Sequence, residues 1–162
     1  MSLREKMLET ENLDVEGIIS QVEKDGMEDL INLGRDKDFR IRWNCARIIS
    51  YILERDPEKI KELKNLLMEM LSDHHRLVRN WASISVLKVA RKRPELLGEI
   101  AEAYLERFIG GDDYEKFDSL KLLEYIKRNN PKVFEKFKDR IVELSKDDNP
   151  VVRYQAKRVL EE

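Results

Sequence analysis

The sequence has little of what several common classes of protein require. Its 162 residues include one cysteine, Cys45, so no internal disulfide can form. With only His74 and His75 as further ligands, a structural zinc site is not expected. No apolar run approaches the roughly 20 residues that span a bilayer. We therefore expect a soluble, cytoplasmic protein that has no membrane segment and needs no metal or other cofactor.

Residues that form turns and strands are also scarce, with six Gly, four Pro and a single Thr. Glu, Lys, Arg and Leu dominate instead, and these favour helices, so the composition predicts an all-α protein. The 31 basic and 33 acidic residues leave a net charge of -2. The chain therefore lacks the large positive charge of proteins that coat nucleic acid without sequence preference. Two Gln beside 20 Glu and 16 Lys is a balance typical of thermophilic proteins, and we expect that origin.

A period of 37 residues runs through the chain. Pro57, Pro94 and Pro131 recur at this spacing, and other columns share the same register. The columns hold an acidic residue, a basic residue and a small residue, in that order, with a departure in the third unit: Asp36, Asp73, Gly110 and Asp147; Arg42, Arg79, Lys116 and Arg153; Cys45, Ala82, Ser119 and Ala156. Because several columns agree on one period, the sequence predicts a repeat architecture.

Each period contains two apolar stripes at helical spacing. The first stripe of one unit consists of Ile41, Cys45, Ile48, Ile49 and Ile52. The second stripe follows the proline, as Ile60, Leu63, Leu67, Met70 and Leu71 in one unit and as Leu97, Ile100, Ala101, Tyr104 and Phe108 in the next. Proline is well tolerated in the first turn of a helix. Each unit is therefore predicted to be a helical hairpin whose second helix begins at the proline, with Asp56 as one cap.

The segments 73–82 and 147–156 resemble the HEAT-repeat pattern of an Asp, then Val-Arg, then a small residue. The resemblance covers the chain from Asp36 onward and implies a right-handed α-α superhelix. In that family the Asp and Arg form a hydrogen-bonded ladder between hairpins, which implies ladder roles for Asp36, Arg42, Asp73, Arg79, Asp147 and Arg153. Because Gly110 and Lys116 depart from the pattern, we expect the ladder to be interrupted in the third unit.

The period also predicts how the chain is organised. We expect one HEAT-like solenoid domain of about four and a half hairpins, whose terminal units present a polar outer face. The predicted segments are an N-terminal cap hairpin at 1–35, full repeats at 36–72, 73–109 and 110–146, and a C-terminal half repeat at 147–162. Within the cap, two helices are expected at 14–24 and 27–33, divided near Gly26.

Acidic residues on the predicted second helices form the first candidate binding surface, which we call the acidic ridge. Its members are Glu58, Glu62, Glu95, Glu99 and Glu102. The functional interpretation is a groove that attracts a basic segment of a partner protein, with Trp43 and Trp81 as further anchors. The alternative is an ordinary solvated helix face, which Lys59, Lys61 and Lys64 would partly neutralise.

The predicted first helices carry a second candidate surface, the basic aromatic column. Three cations in this column each follow an aromatic residue by four positions: Arg47 after Trp43, Lys121 after Phe117 and Arg158 after Tyr154. At that spacing the cation can lie over the ring. Together with Lys88, Arg91 and Lys92, these cations could contact a phosphate backbone. The alternative is that they complement helix dipoles and that the aromatics pack between hairpins.

Enzymatic interpretations have little support in the sequence. His74 and His75 have no Ser or Cys at the spacing of a nucleophilic site. Deoxyhypusine hydroxylase uses a HEAT-like scaffold, but its repeated His-Glu iron ligands have no counterpart in this sequence. We therefore predict a non-enzymatic protein-interaction module or assembly adaptor. Nucleic-acid binding is the alternative, and the oligomeric state stays open.

Overall fold

The computed structural model describes residues 1–161, in which only helices and turns occur. Ten α-helices lie in this range: α1 Leu3–Lys6, α2 Val15–Asp25, α3 Glu28–Leu33, α4 Phe39–Arg55, α5 Ile60–Met70, α6 Arg76–Lys92, α7 Glu99–Phe108, α8 Asp113–Ile126, α9 Pro131–Leu144 and α10 Pro150–Leu160. None of these helices is both long and apolar enough to cross a membrane. The prediction of an all-α fold built from helical hairpins is confirmed.

The first helices of successive hairpins begin at the 37-residue period. Their first residues are Phe39, Arg76, Asp113 and Pro150. A polar residue precedes each of them and accepts a hydrogen bond from a backbone amide of the first turn: Asp38, His75, Asp112 and Asn149. Amides in the first turn have no partner inside the helix. The repeated cap therefore sets where each first helix begins.

The chain divides into two compact units, Met1–Lys88 and a second unit that begins at Val89. In the first unit, α4 contacts α2 and α3. Both predicted stripes of this unit are buried, from Ile41 to Ile52 on α4 and from Ile60 to Leu71 on and after α5. Burial of these side chains supplies most of the driving force for folding the unit.

In the second unit, α8 contacts α7, α9 and α10. The stripe on α7 is buried, and the rings of Tyr104 and Phe108 pack with their centroids 4.8 Å apart. Ser119 on α8 and Ala156 on α10 are fully buried, as expected for the small-residue column. Small side chains at these positions allow neighbouring helices to approach closely.

The second helices differ from the prediction at two of the three repeat prolines. Pro131 is the first residue of α9, as expected. Pro57 and Pro94 instead begin short 3-10 turns, which come before α5 and α7. The Asp56 cap is present, since its carboxylate accepts a hydrogen bond of 3.2 Å from the amide of Glu58.

Two glycines with positive φ separate helical segments. Gly26, with φ 100°, ends α2 before α3 begins, where the sequence predicted a division. Gly98, with φ 51° and ψ -130°, delays the start of α7, which the sequence placed at Pro94. Residues with a Cβ rarely adopt these backbone conformations. Leu97 is nevertheless buried, so the interruption does not remove it from the core.

Candidate functional site

The column of basic residues joins consecutive repeats within the first unit. The Arg42 guanidinium donates to the Asp73 carboxylate from Nε at 2.8 Å and from Nη2 at 3.2 Å. Its Nη1 donates to the main-chain carbonyl of Asp36 at 2.9 Å. Burial is the largest influence on the Asp73 carboxyl and opposes its ionisation, but the hydrogen bonds from Arg42 and from the amide of His75, together with the charge of Arg42, outweigh burial and lower the pKa of the carboxyl. Arg42 thus ties its own loop to the loop of the next repeat.

Arg79 and Arg153 repeat the main-chain half of this arrangement. Their Nη1 atoms donate to the carbonyls of Asp73 and Asp147, each at 2.8 Å. In each of these units, therefore, the Arg donates a hydrogen bond to the main-chain oxygen of the Asp in its own unit. The Asp73 carboxylate accepts hydrogen bonds from the amide of His75 and from the guanidinium of Arg42 instead.

At Lys116 the ladder continues, although we expected an interruption in the third unit. Lys116 replaces Arg in the third unit, yet its Nζ donates to the Asp147 carboxylate at 3.0 Å. Hydrogen bonds from the amide of Asn149 and, to a smaller extent, from Lys116 lower the pKa of the Asp147 carboxyl. Lys116 makes this link with one donor, whereas Arg42 makes it with two. A further link absent from the prediction joins Arg4 to Asp36.

In the first unit, the members of the acidic ridge lie beside lysines. The Glu58 carboxylate is 2.7 Å from Lys61 Nζ, and the Glu62 carboxylate is 3.5 Å from Lys59 Nζ. Both carboxylates are exposed to solvent. Exposed pairs of this kind contribute little to stability, but they cancel the local charge that would attract a basic partner.

In the second unit, cations also accompany the acidic ridge. Glu95 pairs with Arg93 at 2.5 Å. Lys136 of α9 reaches α7, where it pairs with Glu102 and lies 3.1 Å from Glu106. Glu99 is exposed on the same helix. Neighbouring cations therefore neutralise much of the charge of the ridge carboxylates in this unit.

Trp43 and Trp81 belong to a packed cluster around Arg47. The guanidinium carbon of Arg47 lies 5.8 Å from the Trp43 ring and 5.9 Å from the Trp81 ring. Both indoles are half-buried, and the Nε1 atom of Trp43 is buried without a hydrogen-bond partner among the described residues. Arg47 also donates to the side-chain oxygen of Asn44 at 3.1 Å. Trp43 and Trp81, which were predicted as anchors for a partner, thus contribute largely to packing inside the first unit.

Most other cations of the basic aromatic column are also engaged. Lys88 donates to the Ser50 hydroxyl at 2.9 Å and lies 3.3 Å from the Glu54 carboxylate. Lys121 and Arg158 both lie within 4 Å of Glu124. These contacts reduce the positive charge available to a phosphate backbone. Arg91 and Lys92 are exposed at the end of α6.

The stacking of cations on aromatics four residues earlier occurs at one of the three expected places. Arg47 lies over Trp43, as described above. Lys121 lies 5.4 Å from the ring of Tyr125, which follows it by four residues, and not over Phe117. Among residues 1–161, Arg158 has no ring contact of this kind.

The second unit contains a groove that the sequence did not predict, between the start of α8 and the start of α10. Its volume is about 600 Å³. Its lining consists of Asp113, Tyr114, Phe117, Asp118, Asn149, Val151 and Val152. Tyr114 is 79% exposed and Val151 is 58% exposed. Tyr154, one turn beyond Val151, is 65% exposed, so apolar surface extends past the groove.

Asp118 is the unusual charged group of this groove. The carboxyl is half-buried and, among residues 1–161, has neither a hydrogen bond nor an ion pair. Burial, together with the nearby charges of Asp112 and Glu115, raises its pKa to about 6. A carboxyl of this kind in a groove is a frequent mark of a functional site.

The corresponding corner of the first unit is filled by rings. Phe39 and His75 hold the positions of Asp113 and Asn149 two periods earlier, and they stack with centroids 4.1 Å apart. In the second unit, the Asn149 side-chain amide donates to the Asp113 carboxylate at 3.0 Å. This smaller pair fills less space than two stacked rings. The groove therefore arises where the repeat has lost its ring pair.

One sequence signal could have indicated the groove. Tyr114 and Val151 share a column of the repeat with Arg40 and Leu77. The structure places this column at the surface, where Arg40 pairs with Asp38 in the usual manner of exposed charges. Three large apolar residues in an outward-facing column, two of them in the second unit, were the available sign of a binding surface.

The groups considered for catalysis do not form a catalytic arrangement. No cluster of three His, Cys, Asp or Glu side chains that could hold a metal ion occurs in the described part of the chain. Cys45 is fully buried, and burial raises the pKa of its thiol, so the reactive thiolate is disfavoured. The Nδ1 atom of His75 accepts a hydrogen bond from the amide of Leu77 and so caps the start of α6.

Comparisons with known proteins identify the fold. No family model and no curated protein matches the chain. An engineered protein of known structure is similar with a TM-score of 0.69 and 19% sequence identity, over 98% of this chain and 68% of that one. An archaeal HEAT-like repeats protein from Thermococcus onnurineus NA1 is similar with a TM-score of 0.64 and 17% identity, over 98% of this chain and 77% of that one. The chain has a HEAT-like helical-repeat fold.

Proposed function

We propose that the protein is a non-enzymatic protein-interaction module that binds a segment of a partner through the α8–α10 groove. The observation that carries this proposal is the concentration of exposed apolar surface there. After Met1, Tyr114, Tyr154 and Val151 are the most exposed large apolar side chains among residues 1–161. Contiguous apolar surface of this kind on a helical repeat favours protein binding.

The acidic ridge is a second candidate surface for the same function. It would attract a basic segment through Glu58, Glu62, Glu95, Glu99 and Glu102. Its ion pairs with Lys59, Lys61, Arg93 and Lys136 weaken that attraction, so we assign the main contact to the groove.

Selection from a phage library of random peptides on the immobilised protein tests the proposal. Each selected clone is then measured on a double variant, Tyr114→Ser with Val151→Ser, and on a ridge variant with Glu95, Glu99 and Glu102 changed to Lys. Tyr114 and Val151 are exposed, so their replacement leaves the core intact. We expect binding to be lost on the groove variant and kept on the ridge variant. The opposite pattern, or no specific clone, would refute groove binding.

Nucleic-acid binding through the basic aromatic column has weaker support, because Arg47, Lys88, Lys121 and Arg158 are engaged within their own units. A gel-shift titration with single-stranded and double-stranded DNA and RNA at low salt tests this alternative. We expect no shift. A shift that weakens steeply with added salt would support a phosphate-backbone contact instead.

A further inference from the structure

We propose that the α8–α10 groove recognises an arginine of the partner segment, whose guanidinium pairs with Asp118 while a neighbouring apolar side chain packs on Tyr114 and Val151. This inference rests on the proposed protein-binding function, and it specifies the chemistry of the partner. It follows from the charges of the lining, the geometry of its aromatic residues and the comparison with the first unit.

The lining of the groove is complementary to a cation. Two of its residues, Asp113 and Asp118, are carboxylates, and none is a Lys or Arg. The nearby cations are engaged elsewhere, because Lys116 pairs with Asp147 and Arg153 donates to the main chain of its own loop. A cation that enters the groove therefore meets an uncompensated negative charge.

Asp118 has a specific need for a charged donor. Its carboxyl is half-buried and lacks a partner in the described chain, so part of its hydration is lost without compensation. The pKa of about 6 reports the same cost, since burial and then Asp112 and Glu115 all disfavour the ionised form. A guanidinium would supply the missing hydrogen bonds and oppose the neighbouring negative charges.

The aromatic lining favours arginine over lysine. Tyr114 and Asp118 are four residues apart on α8, and Phe117 lies between them in sequence, so all three project from one side of the helix. A planar guanidinium can donate two hydrogen bonds to a carboxylate while its face stacks on an aromatic ring. The compact ammonium of lysine cannot make both contacts in this way.

The first unit shows how a segment of chain can satisfy the equivalent position. Asn44 lies two periods before Asp118 and is fully buried. Its side-chain amide donates to the carbonyl of Met7 at 2.7 Å, in the N-terminal segment of the chain. Asp118 offers only an acceptor, so a segment that satisfies it must bring a donor. Arginine meets this requirement with a positive charge.

The volume of about 600 Å³ leaves room for more than the guanidinium. Ligand pockets in proteins commonly span about 300 to 1,000 Å³. With Tyr114 and Val151 at the mouth of the groove, we expect a bulky apolar residue directly beside the arginine. The recognised motif is therefore an arginine next to an apolar residue.

The sequences of the groove-dependent phage clones provide the first test. Enrichment of arginine beside a bulky apolar residue supports the inference. Groove-dependent clones without such enrichment, including clones enriched in lysine alone, would overturn it and leave the protein-binding function intact. The absence of any clone that depends on Tyr114 and Val151 would overturn both.

Calorimetric titration with a synthetic peptide from the selection provides the second test. The peptide is compared with a copy in which citrulline, an uncharged analogue of similar shape, replaces the arginine. Loss of one charged hydrogen-bonded pair is expected to weaken binding about tenfold. We expect this loss from citrulline on the wild-type chain and from Asp118→Asn with the arginine peptide. The matched control, Asp139→Asn on α9, should bind both peptides like the wild type.

The combination of the two changes distinguishes a direct contact from a general effect. If arginine contacts Asp118, the citrulline peptide should bind Asp118→Asn no more weakly than it binds the wild type. Two results would contradict the pairing of arginine with Asp118. The arginine and citrulline peptides could bind the wild-type chain with equal affinity, or the losses of affinity from citrulline and from Asp118→Asn could add up when the two changes are combined.

Discussion

Replacement of Asp118 by Asn is predicted to stabilise the folded protein at neutral pH, although most substitutions destabilise proteins. The native carboxyl is half-buried, unpartnered among the described residues and close to Asp112 and Glu115. Asn has nearly the same shape and carries no charge. The substitution therefore removes the cost of an ionised group while it keeps the packing of α8.

The size of the effect follows from the pKa of Asp118, which rises from its usual 3.8 to about 6 on folding. Each unit of pKa corresponds to about 1.4 kcal/mol, so the full cost at neutral pH would be about 3 kcal/mol. Solvent reaches part of this carboxyl and screens its charge, which reduces the expected gain to about 1 kcal/mol.

The pH dependence gives the prediction its sign. Because the folded state holds the proton more tightly, the contribution of Asp118 to the free energy of unfolding falls as pH rises from about 4 to about 6. Asp118→Asn should thus be more stable than the wild type by about 1 kcal/mol near pH 7 and equally stable near pH 4.

Urea denaturation of both proteins across this pH range, followed by circular dichroism, measures the difference. Asp139→Asn, on exposed α9, serves as the control and should change the free energy of unfolding by less than about 0.5 kcal/mol. A gain for Asp118→Asn that is independent of pH, or a loss at neutral pH, would refute the reasoning about the unpaired carboxylate.

Three further predictions concern the scaffold. Asp73→Asn should lower the free energy of unfolding by about 1 to 3 kcal/mol in urea titrations, because Arg42 loses its charged partner; an unchanged midpoint would show that this link is dispensable. Gly98→Ala should lower it by about 1 to 2 kcal/mol, since φ 51° with ψ -130° strains any residue that has a Cβ; a gain in stability would contradict that strain. The thiol of Cys45 should react with Ellman's reagent only after urea unfolds the chain, because it is buried in α4; rapid reaction of the native protein would contradict its burial.

Features that depend on local pattern could be predicted from the sequence. The apolar stripe from Ile41 to Ile52 could be predicted from the helical period alone, and its side chains are buried in the structure. The repeat of 37 residues placed the hairpins, because the same caps and small residues recur in register. The start of α7 could not be predicted in the same way, since Gly98 takes a backbone conformation that glycine permits but does not require.

The candidate site was less predictable because it depends on what neighbouring side chains fail to cover. Tyr114 shares an outward-facing column with Val151, but nothing in the sequence sets Asp118 apart from the other carboxylates on helices. The groove beside them arises where a smaller polar pair replaces the Phe39 and His75 rings two periods later. The charge of the acidic ridge was likewise visible in the sequence, whereas its neutralisation by Lys136 required the packing of α9 beside α7.

The most direct test of groove binding is an NMR map of the contact surface. A synthetic copy of the highest-affinity phage peptide is titrated into the ¹⁵N-labelled protein, and the backbone amide shifts are followed. We predict that the largest changes occur at residues 113–118 of α8 and 149–154 of α10, while the ridge residues Glu95, Glu99 and Glu102 stay unchanged. Changes confined to the ridge, with the groove amides unaffected, would contradict the assignment of the binding site.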